Sequence, residues 1–292
     1  MARWISGGLY KPDGGICIYS YVSKGQRIMD KGYKNTDIRA GLLGIIFTLC
    51  LLFIMLVTAV EAVCYWTPGY FEAEYEKYDV LSDLPEMTMS EEDGLMAVTK
   101  HMMHYLRGDE GYDELQTEVM MDGEMRGFFT EREIAHMKDV RGLFIAAQKL
   151  RLWAAALCAV CMAGMYGLCV SGIRADERKG ASFGEGRQRA ALRSFAHIFS
   201  RSVLAGTGLL LVLLLGLAFI LATDFSNAFV TFHHIFFDND LWILDPRVDM
   251  LINIVPEGFF YDTAMRIAAI FGAGVLILLA AAAMMAMKTR KK

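Results

Sequence analysis

The sequence predicts an all-α integral membrane protein with four transmembrane helices, an extracytoplasmic helical segment between spans 1 and 2, and an interfacial segment between spans 3 and 4. Three observations predict it. Apolar residues make up 55% of the 292-residue chain, above the roughly 45–50% of soluble domains. They gather into four stretches, Gly41–Tyr65, Leu152–Ile173, Val203–Thr223 and Met265–Met287, each near the ~20 apolar residues a helix needs to cross a bilayer core. The charges are sorted by segment, so the net value of −4 conceals the pattern.

Taken in order, segment 1–40 carries seven basic residues, from Arg3 to Arg39, against three acids. It shows no helical period and is expected to be a flexible extension. Span 1 (41–66) follows too many polar residues to be a cleavable leader and reads as an anchor that stays. Segment 67–142 holds nineteen acids and seven basic residues. Within it, Leu95, Val98, Met102 and Leu106 recur at helical spacing. Thr130 with Glu133 forms a capping box, where a helix should start, and Met137, Val140, Leu143, Phe144 and Ala147 carry that helix into 143–173, which completes span 2. The linker 174–202 has seven basic residues among Gly180, Gly184 and Gly186 and reads as a topology determinant against anionic headgroups. Span 3 (203–223), an acidic aromatic segment (224–264) and span 4 (265–287) lead to the tail 288–292, with Lys288, Arg290, Lys291 and Lys292. Because Lys and Arg accumulate on the cytoplasmic side of short loops, both termini are expected inside, with 67–142 and 224–264 outside.

Six cysteines, Cys17, Cys50, Cys64, Cys158, Cys161 and Cys169, make no disulfide framework. The CxxC spacing of Cys158 and Cys161 falls within a span, where packing explains it better than redox or metal chemistry.

Five of the six histidines, His101, His104, His136, His233 and His234, lie in the outer segments. Imidazole is the side chain whose ordinary pKa is near neutrality, so any proton chemistry belongs to that face. His136 shares the apolar row of its helix with Val140 and Leu143, while Lys138 and Asp139 turn away. On that ground alone it could be a packed structural histidine. Segment 224–264 adds Phe229, Phe232, Phe236, Phe237, Trp242, Phe259, Phe260 and Tyr261, an interfacial composition, but an aromatic anchor does not account for His233 and His234 or for Asp238, Asp240, Asp245 and Asp249. Ionisable groups at membrane depth are costly and mark sites. His101 and His104 read as surface or supporting residues. Lys149 and Arg151 stand on the outer side of span 2, where they either contact substrate or snorkel. Three readings remain open: general acid–base transfer on a lipid-linked substrate, a non-catalytic scaffold or receptor, and a metal-dependent lipid hydrolase. No HExxH motif supports a metal site, and the outer segments hold no GxSxG elbow or reactive-cysteine context, which disfavours a covalent acyl-enzyme.

The run from Phe128 through Thr130-Glu131-Arg132-Glu133-Ile134-Ala135-His136-Met137 to Val140, and then Phe232-His233-His234-Ile235-Phe236-Phe237 with Trp242, Asp245-Pro246, Asp249 and Pro256-Glu257-Gly258-Phe259-Phe260, resemble the lipoprotein intramolecular transacylase (Lit) family of Gram-positive bacteria. The resemblance runs in order over roughly 41–287 and implies a four-span membrane enzyme. It maps the histidine of the family's E-x-x-H-M motif onto His136 and that of F-H-x-x-F-F onto His233. It further implies transfer of the sn-2 acyl chain of a diacylglyceryl-cysteine lipoprotein to the cysteine α-amino group, with no metal or other cofactor and no nucleic-acid partner. His234, Asp139, Lys149, Arg151, Phe232, Phe236, Phe237, Trp242 and Asp245 are the expected supporting residues. A pair of imidazoles acting as acid and base predicts a rate that falls on both sides of neutrality.

Overall fold

The computed structural model describes residues 18–84, 91–115, 117–121, 123–182 and 186–290. Cys17, Gly184, Lys291 and Lys292 lie outside the described residues. Helix α1 (Ile18–Trp66) is followed by α2 (Tyr70–Lys77), a 3-10 turn (Val80–Asp83), α3 (Glu91–Arg107), strands β1 (Glu118–Met121) and β2 (Glu124–Gly127), and α4 (Glu131–Arg178). Then come α5 (Arg187–Thr223), α6 (Phe225–Phe236), the short α7 (Leu251–Ile254) and α8 (Glu257–Arg290). Four helices are long and apolar enough to cross a membrane, within α1, α4, α5 and α8. The remaining elements cap one end of this four-helix bundle.

Small residues bring α1 and α5 together. A Cβ on Gly44 would meet the side chain of Ser202, and one on Gly206 would stand 3.1 Å from Thr48. Close backbone approach of this kind replaces the hydrophobic driving force that lipid does not supply. Beside it, Ala40, Phe47, Cys161, Met165, Cys169 and Ile198 pack as one apolar cluster, and Leu52, Ala59, Phe271 and Val275 as another. The cysteines of the CxxC pair are free, Cys161 being part of the first cluster.

The α3 row is buried as its spacing predicts, from Val98 at 0% exposure to Leu106 at 5%. It joins Tyr70, Tyr75, Phe128, Phe129, Met137, Leu251, Ile254 and Phe259 in a cap core drawn from both outer segments. The cap is fixed to α8 by Glu74 with Arg266 (2.9 Å), by Tyr78 donating to Asp262 (2.7 Å), and by Lys77 with Asp262 and Tyr70 with Thr263.

Three features differ from the sequence expectation. Residues 18–40 are not an irregular arm: the helix is continuous from Ile18 into the span, because an anchored span supplies the costly nucleus and each added residue then contributes a hydrogen bond. The basic linker is largely helix ends, with only 179–186 between α4 and α5. Ala190, Ala191 and Ile198 give that stretch a buried side. Finally, the outer segment 67–142 contains an antiparallel hairpin in which Met121 pairs with Glu124. Gly123, at φ 80°, takes the left-handed backbone that a tight hairpin turn needs.

Arg151 has a partner within the bundle. Its guanidinium pairs with Glu61 of α1, the two side chains being 27% and 14% exposed. Lys149 is exposed. Arg151→Ala strands the Glu61 carboxylate among apolar helices and should cost about 1–3 kcal/mol, read as a lower thermal midpoint in detergent, while Glu61→Gln with Arg151→Met recovers most of it. An unchanged midpoint with weaker use of substrate would return Arg151 to a binding role.

Candidate active site

At about 1.5 Å per residue the 48 residues of α4 run about 72 Å, far beyond a ~30 Å hydrocarbon core. Its first turns therefore stand in the cap. The helix starts at the expected capping box: Glu133 N–H donates to Thr130 Oγ1 (3.3 Å) and Thr130 N–H to Glu133 Oε2 (2.6 Å). Glu133, His136, Met137 and Val140 follow one row of the helix. The first three are buried, with Glu133 at 0% and His136 at 6% exposure.

The second histidine arrives on α6, which begins with Asp224 capping Asn227 N–H. Phe229, His233 and Phe237 recur four residues apart on its inner side. His233 is buried, and its Nδ1–H donates to the Phe229 carbonyl at 2.7 Å. A carbonyl can only accept, so the neutral ring carries its proton on Nδ1 and leaves Nε2 as a lone pair. The His136 and His233 rings lie 6.0 Å apart between centroids. Phe237 touches both, at 5.1 and 5.6 Å, and Trp242 stacks on His233 at 4.7 Å and 28°. Burial drives the His136 pKa down to about 4, with the His233 charge adding to the effect and Asp139 opposing it. Burial also lowers His233, against the pull of the Phe229 carbonyl. Both rings are therefore neutral bases at pH 7.

What brings two helices distant in sequence to one point is the loop after α6. Arg132 donates to the carbonyls of Asp240 and Leu241, and Asn239 Nδ2 to Asp139 Oδ2 at 2.9 Å. Thr130 Oγ1 donates to Asp249 Oδ1 (3.1 Å), whose other oxygen accepts Asp245 N–H (2.8 Å). The free oxygen of the cap carboxylate, Glu133 Oε1, accepts Leu251 N–H. Burial raises the Glu133 pKa, while these backbone donors lower it.

The predicted residues thus divide. His136, His233, Phe237 and Trp242 come together. His234 is exposed, edge-on to the far side of the group at Trp242 (5.2 Å). Phe232 and Phe236 are 47% and 50% exposed on the outer face of α6 beside Ile235, an apolar strip of the kind that marks an interaction surface; Phe232 still meets the His233 ring at 5.6 Å. Asp139 accepts its hydrogen bond from Asn239 of the loop and reaches His136 only through its charge. Asp245 is paired with Arg247, which holds its carboxyl near pKa 2. His101 Nε2–H donates to the Glu114 carbonyl (3.0 Å), and His104 bonds Asp109 (2.6 Å) and stacks on Tyr112; a cavity of about 530 Å³ beside α3 includes His104 but neither His136 nor His233. Among the described residues no group of three or more His, Cys, Asp or Glu side chains is placed to hold a metal. The sequence reading did not assign roles to Arg132, Asn239, Leu251 or the Phe229 carbonyl. The i, i+4 spacing of Phe229 with His233 is the signal that could have found the last.

Removing the cap carboxylate tests the clamp. Glu133→Ala orphans the N–H groups of Thr130 and Leu251, at about 1–3 kcal/mol each, whereas Thr130→Ala loses one N-cap, about 1 kcal/mol, and the hydroxyl bond to Asp249, whose carboxylate keeps the Asp245 N–H. Thermal unfolding should rank Glu133→Ala well below Thr130→Ala; equal midpoints would mean the bond to Leu251 carries nothing.

The lipoprotein intramolecular transacylase Lit family model matches residues 45–260. No curated protein matches. Among solved structures, the membrane-integral lipoprotein intramolecular transacylase Lit of Bacillus cereus superposes with a TM-score of 0.58 at 19% identity, over 87% of this chain and 99% of that one. A point variant of the same enzyme gives 0.57 at 18% identity, over 90% and 98%. At such identity the structures speak for the fold, and the family match, over most of the chain and both histidine motifs, settles membership: the chain belongs to the lipoprotein intramolecular transacylase family.

Proposed function

We propose that this protein moves the sn-2 acyl chain of a diacylglyceryl-cysteine lipoprotein onto the α-amino group of the same cysteine, leaving an N-acylated lyso-form. The carrying observation is the buried His136–His233 pair, 6.0 Å apart inside an aromatic cluster. The reaction is an ester aminolysis within one molecule. An α-amino group has a reference pKa of about 7.7–8.0, so a useful fraction is already the neutral nucleophile, and intramolecular placement can supply up to about 7–11 kcal/mol. The protein's work is then folding of the substrate and proton movement. His233 takes the ammonium proton of the tetrahedral adduct: Nε2 is its open lone pair, and the Phe229 carbonyl stabilises the imidazolium through Nδ1–H. His136, also neutral, faces it across the reacting centre and relays that proton from the His233 imidazolium to the departing glyceryl oxygen, so both rings end the cycle neutral. The exposed apolar strip of α6 meets the acyl chains.

In this reading the site faces the outer leaflet of a bacterial cell membrane with both termini cytoplasmic, since the capped end carries the acidic segments and the opposite end the basic ones. The partners are diacylglyceryl-modified lipoproteins and membrane lipids.

Mass spectrometry of lipoproteins from a strain expressing the chain should show the N-acyl lyso form with the acyl count of the diacyl precursor. His136→Gln and His233→Gln should each lower the rate at least ~10²-fold while the protein still inserts. A higher acyl count would indicate an external donor, and full activity in both variants would remove the histidines from the reaction.

The pH profile expected from sequence changes with burial. A lowered imidazole pKa means the neutral form persists down to that pKa, so the free protein has no imidazolium to lose on the alkaline side. Rate should climb through the acid range as His233 and the substrate amine give up protons, then level above the amine's pKa. A descending alkaline limb in initial rates on solubilised diacyl lipoprotein would overturn this assignment.

A further inference from the structure

Nearly every polar group around the loop 237–250 has a named partner: Arg132, Asn239, Asp245, Asp249, Asn253, Thr130 and Glu133 are all hydrogen-bonded. Two buried groups in the same cluster are exceptions, Trp242 Nε1 and His136 Nδ1. Buried donors in native structures are overwhelmingly paired, and an orphan calls for an explanation. Slack in the loop does not provide one. The indole lies flat on the His233 ring, with His234 edge-on against it, and the loop on either side is tied to α4 by Arg132 at Asp240 and by Asp249 at Thr130. The N–H is held unpaired beside the proposed base.

An indole N–H donates and does not accept, and it does not titrate in the range of this chemistry. Such a group cannot shuttle the proton, but it suits an oxygen on which negative charge develops. The proposed reaction makes one. As the amine nitrogen bonds to the ester carbonyl carbon, the C=O π pair moves onto oxygen; His233 Nε2 takes the ammonium proton; the oxygen pair returns as the C–O bond to glycerol breaks, and the same proton passes to the glyceryl oxygen, leaving the rings neutral. His233 cannot be both base and oxyanion donor, because its Nδ1–H is occupied by the Phe229 carbonyl. We infer that Trp242 Nε1–H is the hydrogen-bond donor to the tetrahedral oxyanion, which makes Trp242 a further catalytic residue. The inference rests on the transacylase reading. Half-exposed Phe232 meets the same imidazole at 5.6 Å and packs on half-exposed Phe236, so the apolar strip proposed to meet the acyl chains adjoins the base.

The test is replacement of Trp242 by β-(3-benzothienyl)alanine in the full chain. Sulfur then stands where the N–H was, and the bicyclic ring keeps its stack on His233. With a synthetic diacylglyceryl-cysteine lipopeptide in detergent micelles, kcat should fall about 10²- to 10³-fold, as for other lost oxyanion donors, with the half-saturating concentration and the thermal midpoint nearly unchanged. Trp242→Phe, which also removes the N–H, should lose at least as much. Unchanged kcat in the benzothienyl protein, or a change confined to half-saturation, overturns the oxyanion role while a wild-type protein that still yields lyso-form leaves the transacylase reading intact. Should the benzothienyl protein unfold, an active Trp242→Phe protein overturns the role by itself. No lyso-form from the wild type overturns both.

Discussion

One buried carboxylate organises the capped end of this protein. Glu133 begins as half of a local capping box, a device written into four consecutive residues. Its second oxygen reaches Leu251 N–H, 118 positions further along the chain. Burying a carboxylate is expensive unless its lone pairs are satisfied, and here the two backbone donors that satisfy it come from the N-cap and from the start of α7. The first turn of α4 and the loop that follows α6 are consequently one rigid piece. His136 is one turn from Glu133 on the same row, and Trp242 is carried by the clamped loop.

Chemical character follows from that rigidity. The two imidazoles sit among Phe229, Phe237 and Trp242, where ionisation is penalised and both rings are kept neutral. Low dielectric also strengthens any hydrogen bond made to a transient charge. The asymmetry within the pair is local: a helical i, i+4 bond from His233 Nδ1–H to Phe229 fixes one tautomer, whereas Nδ1 of His136 is left without a partner. Two residues of one type, equally buried, acquire different hydrogen bonding through a backbone carbonyl.

The bundle below obeys different rules. Its helices face lipid over much of their surface, with Leu152, Trp153, Val212, Phe219 and Ile277 well exposed, and cohere through glycine-mediated approach and the Glu61–Arg151 pair. The cap above has a conventional apolar core centred on Leu95, Val98, Phe128 and Ile254. The membrane part therefore supplies direction and anchorage, and the cap supplies precision.

Four spans, the start of α4 and the buried row of α3 were all legible in the sequence, because each depends on periodicity or capping within a few residues. The two histidine motifs were legible together through their family resemblance, although from the residues alone each could have been a packed histidine. The helical run 18–40 was missed because a span can propagate a helix whose own composition would not nucleate one, and the hairpin because strands of four residues leave too short an alternation to read. Which of His233 and His234 faces inward was decided by the side of α6 that meets α4. The partner of Arg151, and the pairing of Asp139 with Asn239 in place of His136, lay 90 and 100 positions away. By itself the sequence determined what repeats locally, since backbone hydrogen bonds and lipid solvation act over one or two turns. Only the tertiary structure decided which distant donors meet which buried acceptors, because that choice is fixed by burying polar groups together, and no local pattern records its partner.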